Sequence, residues 1–369
     1  MKIVVSTIIK LLTNNEGERK RLRNSLRWIK NYFIFGANFI YMENVTLKKI
    51  SEVLGLSIST ISRALKDHPD ISPQTKAKVR ELANTLDYEP NANAINLRTR
   101  NNNVFGLMIP SANNSFYNSF LSSLEEDCRK NGYSLIIMQT ADDPEVEKSI
   151  LKLYRQNRVA GIFACLSPGT KDLDAYKKLD DMSIPVIFFD KIPDTDSFKV
   201  SVDDEKATII AVNELLKAGK KNILGLFGNR QVSITKNRLK AFKQVLSEEK
   251  KVGFNIEFVV NASEAYETCY KYYAQNPAPD AIFCMSDEIM TGAMKALQQM
   301  KINYPDKTGI ISISDGSLPN LYFPEITYVE TSGHKLGKKT FECMISRINN
   351  LPYQKNNLVE PLLFKGGSL

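Results

Sequence analysis

From Thr46 onward, apolar residues recur at helical spacing in three short runs, each opened by a residue suited to capping. Thr46 precedes Leu47, Ile50, Val53 and Leu54, which share one face at 3.6-residue spacing, and Gly55 stands where the chain must leave that helix. Ser57 opens a second helix with Ile61 and Leu65 turned toward a core. Ser72-Pro73 opens a third, whose buried stripe is Val79, Leu82, Ala83 and Leu86. Two short helices joined by a tight turn and braced by a third predict a helix-turn-helix. The outer face of the second helix carries Ser57, Ser59, Thr60, Ser62 and Arg63 and no acid, so it can approach phosphates without like-charge repulsion. The pattern alone also fits a generic three-helix interaction module.

Beyond residue 103 the pattern becomes strand, helix, strand, helix. Short apolar runs predict strands at 104–109, 134–138, 161–165, 185–189, 199–202, 222–227, 257–260, 281–285 and 309–313. Amphipathic stretches predict helices at 116–130, 145–155, 205–218, 237–247 and 289–300. Regular alternation of this kind predicts parallel sheets with helices on both faces. The elements exceed one doubly wound domain, and the polar stretch 194–204 is the expected divide between two lobes. Loops at the carboxyl ends of their strands would then surround a common cleft, the usual place for a ligand. The fold class is mainly α/β, with an N-terminal all-α helix-turn-helix headpiece.

Charge matters once it is located. Of the formal net +8, residues 1–41 carry +6 and residues 42–100 carry +2, which leaves the rest neutral. Contact with a polyanion is therefore expected from the N-terminal end only. Residues 1–41 read as an appendage: either an over-long translation start, with Met42 the better initiator, or a basic tail adding non-specific DNA or membrane-surface affinity. The apolar run 28–41 is too short to span a bilayer and contains Lys30, so no membrane partner is expected. Five scattered cysteines and only two histidines give no metal or disulfide spacing, which suits a cytoplasmic protein with no metal and no cofactor.

Catalytic motifs are missing as well. Gly225-Leu-Phe-Gly228 does not make a dinucleotide fingerprint, and no P-loop or nucleophile elbow occurs. Asp142-Asp143 and Asp203-Asp204 are adjacent pairs whose members would face opposite ways in a strand, so neither is expected to build a site. The chain is not expected to be an enzyme.

The run Val45 to Leu65, V-T-L-K-K-I-S-E-V-L-G-L-S-I-S-T-I-S-R-A-L, continues through Asp70-Ile-Ser-Pro-Gln-Thr75 and Leu86-Asp-Tyr-Glu-Pro-Asn91. It resembles the headpiece of the lactose/galactose/purine repressor (LacI/GalR) family of bacterial transcriptional regulators. The resemblance implies that Ile58, Ser59 and Arg63 read bases, while Thr46, Ser57, Thr60 and Ser62 cap helices or hold phosphates. Of these, Arg63 has the chemistry to bridge guanine O6 and N7, and Ile58 to meet a thymine methyl. Residues 91–98 resemble the family's hinge helix, with Leu97 as the minor-groove wedge and Ala94 allowing close helix approach.

Residues 104–365 resemble, more diffusely, a two-lobed periplasmic-binding-protein-like effector domain whose chain crosses between lobes three times. The implied effector residues are Asn114, Phe116, Tyr117, Asp190, Arg238, Asp287 and Asp315. Ser115 replaces a proline of the family pattern, Ser286 an asparagine, and the aromatic expected near Glu264 is missing. The implied domains are 42–90 for DNA binding, 91–103 for hinge and linker, and 104–366 for effector binding and dimerisation. The implied partners are a palindromic double-stranded DNA operator, a second copy in a homodimer, and a small effector such as a sugar, sugar phosphate or nucleobase. The competing reading is a free-standing ligand-binding or receptor-like protein without specific DNA binding.

Overall fold

A computed structural model describes residues 45–88 and 102–369, which belong to two compact units. The smaller contains helices α1 (Leu47–Leu54), α2 (Ile58–Leu65) and α3 (Pro73–Thr85). Each starts on a capping hydroxyl: Thr46 accepts from the Lys49 amide at 3.4 Å, Ser57 from Thr60 at 3.1 Å, and Ser72 from Thr75 at 3.2 Å. Gly55 ends α1 in the left-handed region, φ 63°. Ile50, Ile61, Ala64, Val79 and Ala83 form the buried core, edged by Leu47, Leu54, Leu65, Leu82 and Leu86.

Val53 departs from the expected stripe and is 57% exposed. On a helical wheel Leu47, Ile50 and Leu54 lie within about 60° of one another, whereas Val53 sits about 60° beyond their edge. Among the described residues, α1 packs on α2 and α3 and has no neighbour on that side.

In the larger unit the chain runs β1 (Val104–Ile109), α4 (Ser115–Lys130), β2 (Ser134–Gln139), α5 (Pro144–Gln156), β3 (Gly161–Ala164), α6 (Asp174–Asp181), β4 (Val186–Phe189) and β5 (Lys199–Val202). It continues through α7 (Asp204–Lys217), β6 (Asn222–Phe227), α8 (Ser233–Glu248), β7 (Gly253–Phe258), α9 (Ala262–Gln275), β8 (Ala281–Cys284), α10 (Asp287–Gln299), β9 (Gly309–Ser314) and β10 (Thr327–Glu330). The last elements are α11 (Gly333–Ile348), β11 (Asn356–Val359) and β12 (Leu362–Phe364). Among the described residues no helix is long and apolar enough to cross a membrane.

Two six-stranded sheets result, in the orders β11-β5-β4-β3-β1-β2 and β12-β10-β9-β8-β6-β7. Every pairing is parallel except that of β12 with β10. The first lobe has a core on each face of its sheet: Phe120 and Leu124 of α4 meet Leu336 and Met344 of α11 on one, and Leu151 of α5 meets Leu179 of α6 on the other. The second lobe encloses one larger core around Phe227, Phe242 and Phe283. The chain crosses between lobes after β5, after β10 and after β11.

Three expectations change. The lobe divide falls at the carboxyl end of stretch 194–204, because β5 still pairs with β4 in the first sheet. The strand expected at 257–260 is β7, shifted toward the N-terminus. Phe254, Ile256 and Phe258 alternate inward along this edge strand, while Val260 is 58% exposed. Both aspartate pairs open helices rather than lie in strands: Asp143 caps α5 and Asp203 caps α7.

Helix α11 crosses back to the first lobe and lies against α4 at close range. A Cβ at Gly337 would stand 2.7 Å from the Phe120 carbonyl oxygen, and one at Gly333 would stand 2.4 Å from that of Phe116. Gly337→Ala therefore forces the two backbones apart. We expect a net loss of about 1–3 kcal/mol in urea unfolding, even after the helix-propensity gain of alanine. An unchanged midpoint would mean that the helices slide freely.

Candidate functional site

Helix α2 presents Ile58 (47% exposed), Ser59 and Arg63 on the surface of the small unit. Ile58 leaves the core to Ile61 and Ala64, the buried residues of this helix. Ser57 lies 2.7 Å from the Ser59 hydroxyl and 2.8 Å from that of Thr60, a small hydroxyl cluster at the start of the helix. Ser62 is half-buried. The Arg63 side chain is 58% exposed, and Asp70 approaches it only at 3.8 Å. Its guanidinium is therefore available to an incoming partner. Ala94 and Leu97, expected in a hinge, lie outside the described residues.

In the larger unit all seven expected cleft residues line one cavity of about 150 Å³. Asn114 caps α4 by accepting from the Phe116 and Tyr117 amides, which fixes the first-turn rings edge to face at 5.5 Å. Asp190 follows β4 in the left-handed region (φ 58°), and its carboxylate accepts from the Tyr117 hydroxyl at 2.6 Å. Asp287 opens α10 and accepts from the Ser314 hydroxyl and, at 3.0 Å, from the Asp315 amide. Asp315, at the end of β9, accepts from the Gly333 amide at 2.7 Å and is also bonded by Ser119. It thereby joins the end of the second sheet to the α11–α4 layer of the first lobe.

Arg238 of α8 is buried and donates through Nε at 2.8 Å to Asp204, with Nη2 2.7 Å from the same oxygen and Nη1 on the Met285 carbonyl. Asp204 was set aside in the sequence as half of an adjacent pair. Its position, just past the carboxyl end of β5, was the available signal. Ile234, Met285 and Ile313 supply an apolar wall. Among the described residues lining the cavity, the only aromatic rings are Phe116 and Tyr117, both from α4.

Burial dominates the electrostatics. It raises Asp190 and Asp287 above the ordinary carboxylate range despite their hydroxyl donors. It pushes Asp204 to about 6 against the pull of Arg238, and Asp315 to about 6 against its amide and hydroxyl bonds. Asp190, Asp287, Glu288 and Asp315 thus line the cavity with oxygen acceptors, and Arg238 is the one guanidinium among its described lining residues. That arrangement receives hydroxyl donors and opposes anions. Among the described residues no group of three His, Cys, Asp or Glu could hold a metal ion.

Comparison with known proteins yields two family matches. Residues 46–91 match the model for bacterial regulatory proteins of the lacI family, and residues 102–364 match that for periplasmic binding proteins and the sugar binding domain of the LacI family. The HTH-type transcriptional repressor PurR of Vibrio cholerae is 25% identical over 319 residues, covering 84% of this chain and 93% of that protein. The ribose operon repressor of Haemophilus influenzae is 28% identical over 310 residues, covering 83% and 92%. The crystal structure of the Lac repressor dimer bound to operator and the anti-inducer ONPF superposes with a TM-score of 0.81 at 19% identity, covering 88% of this chain and 99% of that one, a likeness of fold.

Asp315 offers a pH test. Its value is about 6 in the native chain against 3.8 ordinarily, so the native state holds the proton more tightly. The resulting stabilisation is complete below the ordinary value and is lost as pH rises through 6. Asp315→Asn keeps an acceptor for Gly333 without the charge. We expect it to melt above wild type at about pH 7.5, with the difference closing toward pH 4. Melting curves that run parallel across that range would contradict the burial argument.

Proposed function

The chain belongs to the lacI family of bacterial regulatory proteins, and from that membership we propose that it is a ligand-responsive, sequence-specific DNA-binding transcriptional regulator that acts as a repressor. The observation that carries this reading is the pairing, in one chain, of an acid-free exposed helix face with a buried polar cavity. Ile58, Ser59 and Arg63 read base edges in the major groove, while Thr46, Ser57, Thr60 and Ser62 cap helices or hold phosphates. Residues 91–103 serve as hinge and linker, with Leu97 the minor-groove wedge and Ala94 the point of helix approach. Residues 1–41 are an appendage to this machinery. A free-standing binding protein would have no use for the headpiece.

The larger unit binds the effector. The relatives PurR and the ribose operon repressor are both named as repressors, and the carboxylate-rich cavity here favours a neutral polyhydroxylated molecule, a sugar before a sugar phosphate. Hydroxyls donate to Asp190, Asp287 and Asp315, and Arg238 offers its remaining N–H groups. We read the cavity as a binding site without catalysis, since Asp190, Asp287 and Asp315 are each committed to protein donors. A thermal-shift panel of neutral pentoses and hexoses, their phosphates, and nucleobases tests the ligand class. If only phosphorylated members raise the melting temperature, the neutral-polyol reading fails.

The protein acts as a homodimer on a palindromic operator, because one recognition helix reads too few bases for specificity. Support comes from the loop before β10, where Leu321 is 76% and Phe323 97% exposed, and from edge strand β12, where Leu362 and Phe364 are exposed.

Two expected outcomes follow. Arg63→Ala should cost about 1–3 kcal/mol on a selected operator and relax preference at one G·C position. Binding to selected and scrambled duplexes at fixed salt checks this, and equal losses on both would make Arg63 a phosphate contact. Phe323→Asp should weaken dimerisation by on the order of 2 kcal/mol or more if the ring is an interface anchor. Sedimentation at micromolar concentration reads it, and an unaltered dimer would move the interface elsewhere.

A further inference from the structure

We propose that Asp204 is the specificity-determining residue of the cleft: by clamping and neutralising Arg238, it makes the cavity select uncharged polyhydroxylated ligands over phosphorylated or carboxylated ones. This rests on the cavity being the effector site, and it names the device that keeps anions out.

Without Asp204, Arg238 would turn an uncompensated positive charge on the cavity, in reach of Asp190 and Asp287 but clamped by neither. The guanidinium is 7% exposed and is the one cationic side chain among the described residues lining the cavity. It projects from the second turn of α8, whose N-terminus has neither a capping side chain nor an acid in its first turn. The free amides and dipole of such a helix end favour negative charge.

Asp204 cancels that potential from another element. It stands in the first turn of α7, 6% exposed, with one carboxylate oxygen 2.8 Å from Nε and 2.7 Å from Nη2. The Met285 carbonyl takes Nη1. Three of the five guanidinium donors are thus engaged, and two N–H groups remain for a ligand. They are donors of fixed direction on a pair without net charge. A hydroxyl oxygen satisfies them fully. A phosphate would gain no unpaired cation and would meet Asp190, Asp287 and Asp315 across the cavity.

Sulfate is a suitable probe, since it stays doubly charged over the working range and needs no knowledge of the natural ligand. It is titrated by calorimetry into the full chain as wild type, Asp204→Asn and Asp204→Asn/Arg238→Gln. The Asn variant should bind sulfate on the order of tenfold or more tighter than wild type, the size expected for removing one like charge a few Å away. The double variant should lose that gain. The advantage of Asp204→Asn should be largest near pH 8 and shrink near pH 5, because burial places the Asp204 carboxyl at about 6 and wild type then takes up the proton itself. Asp190, Asp203, Asp287, Glu288 and Asp315, the other acids around the pair and the cavity, are present in both proteins and cancel in the comparison.

Equal sulfate affinity in wild type and Asp204→Asn overturns the proposal, as does a gain that survives Arg238→Gln or one that ignores pH. If Asp204→Asn fails to unfold cooperatively, Asp204→Ser takes its place with the same expectations. The sugar panel decides the ligand reading and the sulfate titration decides the role of Asp204, so either fails without the other.

Discussion

Parallel pairing is the constraint from which the cleft follows. In a parallel sheet all strands end on the same edge, so the loops that leave those ends gather there. Each lobe has such an edge, and three crossings of the chain hold the two lobes together. Asn114, Phe116 and Tyr117 follow β1, Asp190 follows β4, Asp287 follows β8, and Asp315 follows β9. Residues as far apart in the chain as 114 and 315 share a cavity because strand direction leaves them nowhere else to go.

Concentrating those ends also concentrates charge, and the fold manages it with local donors. Tyr117 serves Asp190, Ser314 serves Asp287, the Gly333 amide serves Asp315, and Arg238 serves Asp204. Burial still holds these carboxyls above their ordinary range. A ligand that supplies hydroxyl donors therefore relieves a cost that burial imposes on these carboxyls. Asp315 gives that relief a mechanical connection, since its carboxylate sits on the first amide of α11, and α11 is packed on α4 too closely to admit a Cβ at Gly333. A ligand that prefers one arrangement of this layer shifts the population of lobe arrangements by its differential affinity.

The small unit works on another scale. Among the described residues five buried side chains form its core, so its helices depend on their caps and on one another. Economy of core leaves the outer face of α2 free of structural duty. Ile58 shows this directly: a large apolar side chain left 47% exposed on a helix that already buries Ile61 and Ala64.

How much of this was legible depends on the range of the determining interaction. Caps at Thr46, Ser57 and Ser72, the turn at Gly55, and nearly all the strands of apolar runs are set by neighbours a few residues away, and the chain displays them openly. The seven cleft residues were legible through resemblance, because the family's register carries long-range information that periodicity lacks. Strands β10, β11 and β12 and helices α6, α9 and α11 escaped the pattern reading, as did the true position of β7. Asp204 escaped for a related reason. Next to Asp203 it looks like half of a solvated pair, and only α8, folding back from more than thirty residues downstream, sets Arg238 against it. Val53 was lost in the opposite direction, its apolar side chain assigned to a core that two short neighbouring helices could not extend far enough to cover. The sequence by itself determined the headpiece helices with their caps, most of the strands, and the direction in which those strands end. The tertiary structure decided which buried charges meet, because the cost of an unpaired charge is felt only where the folded chain removes it from water.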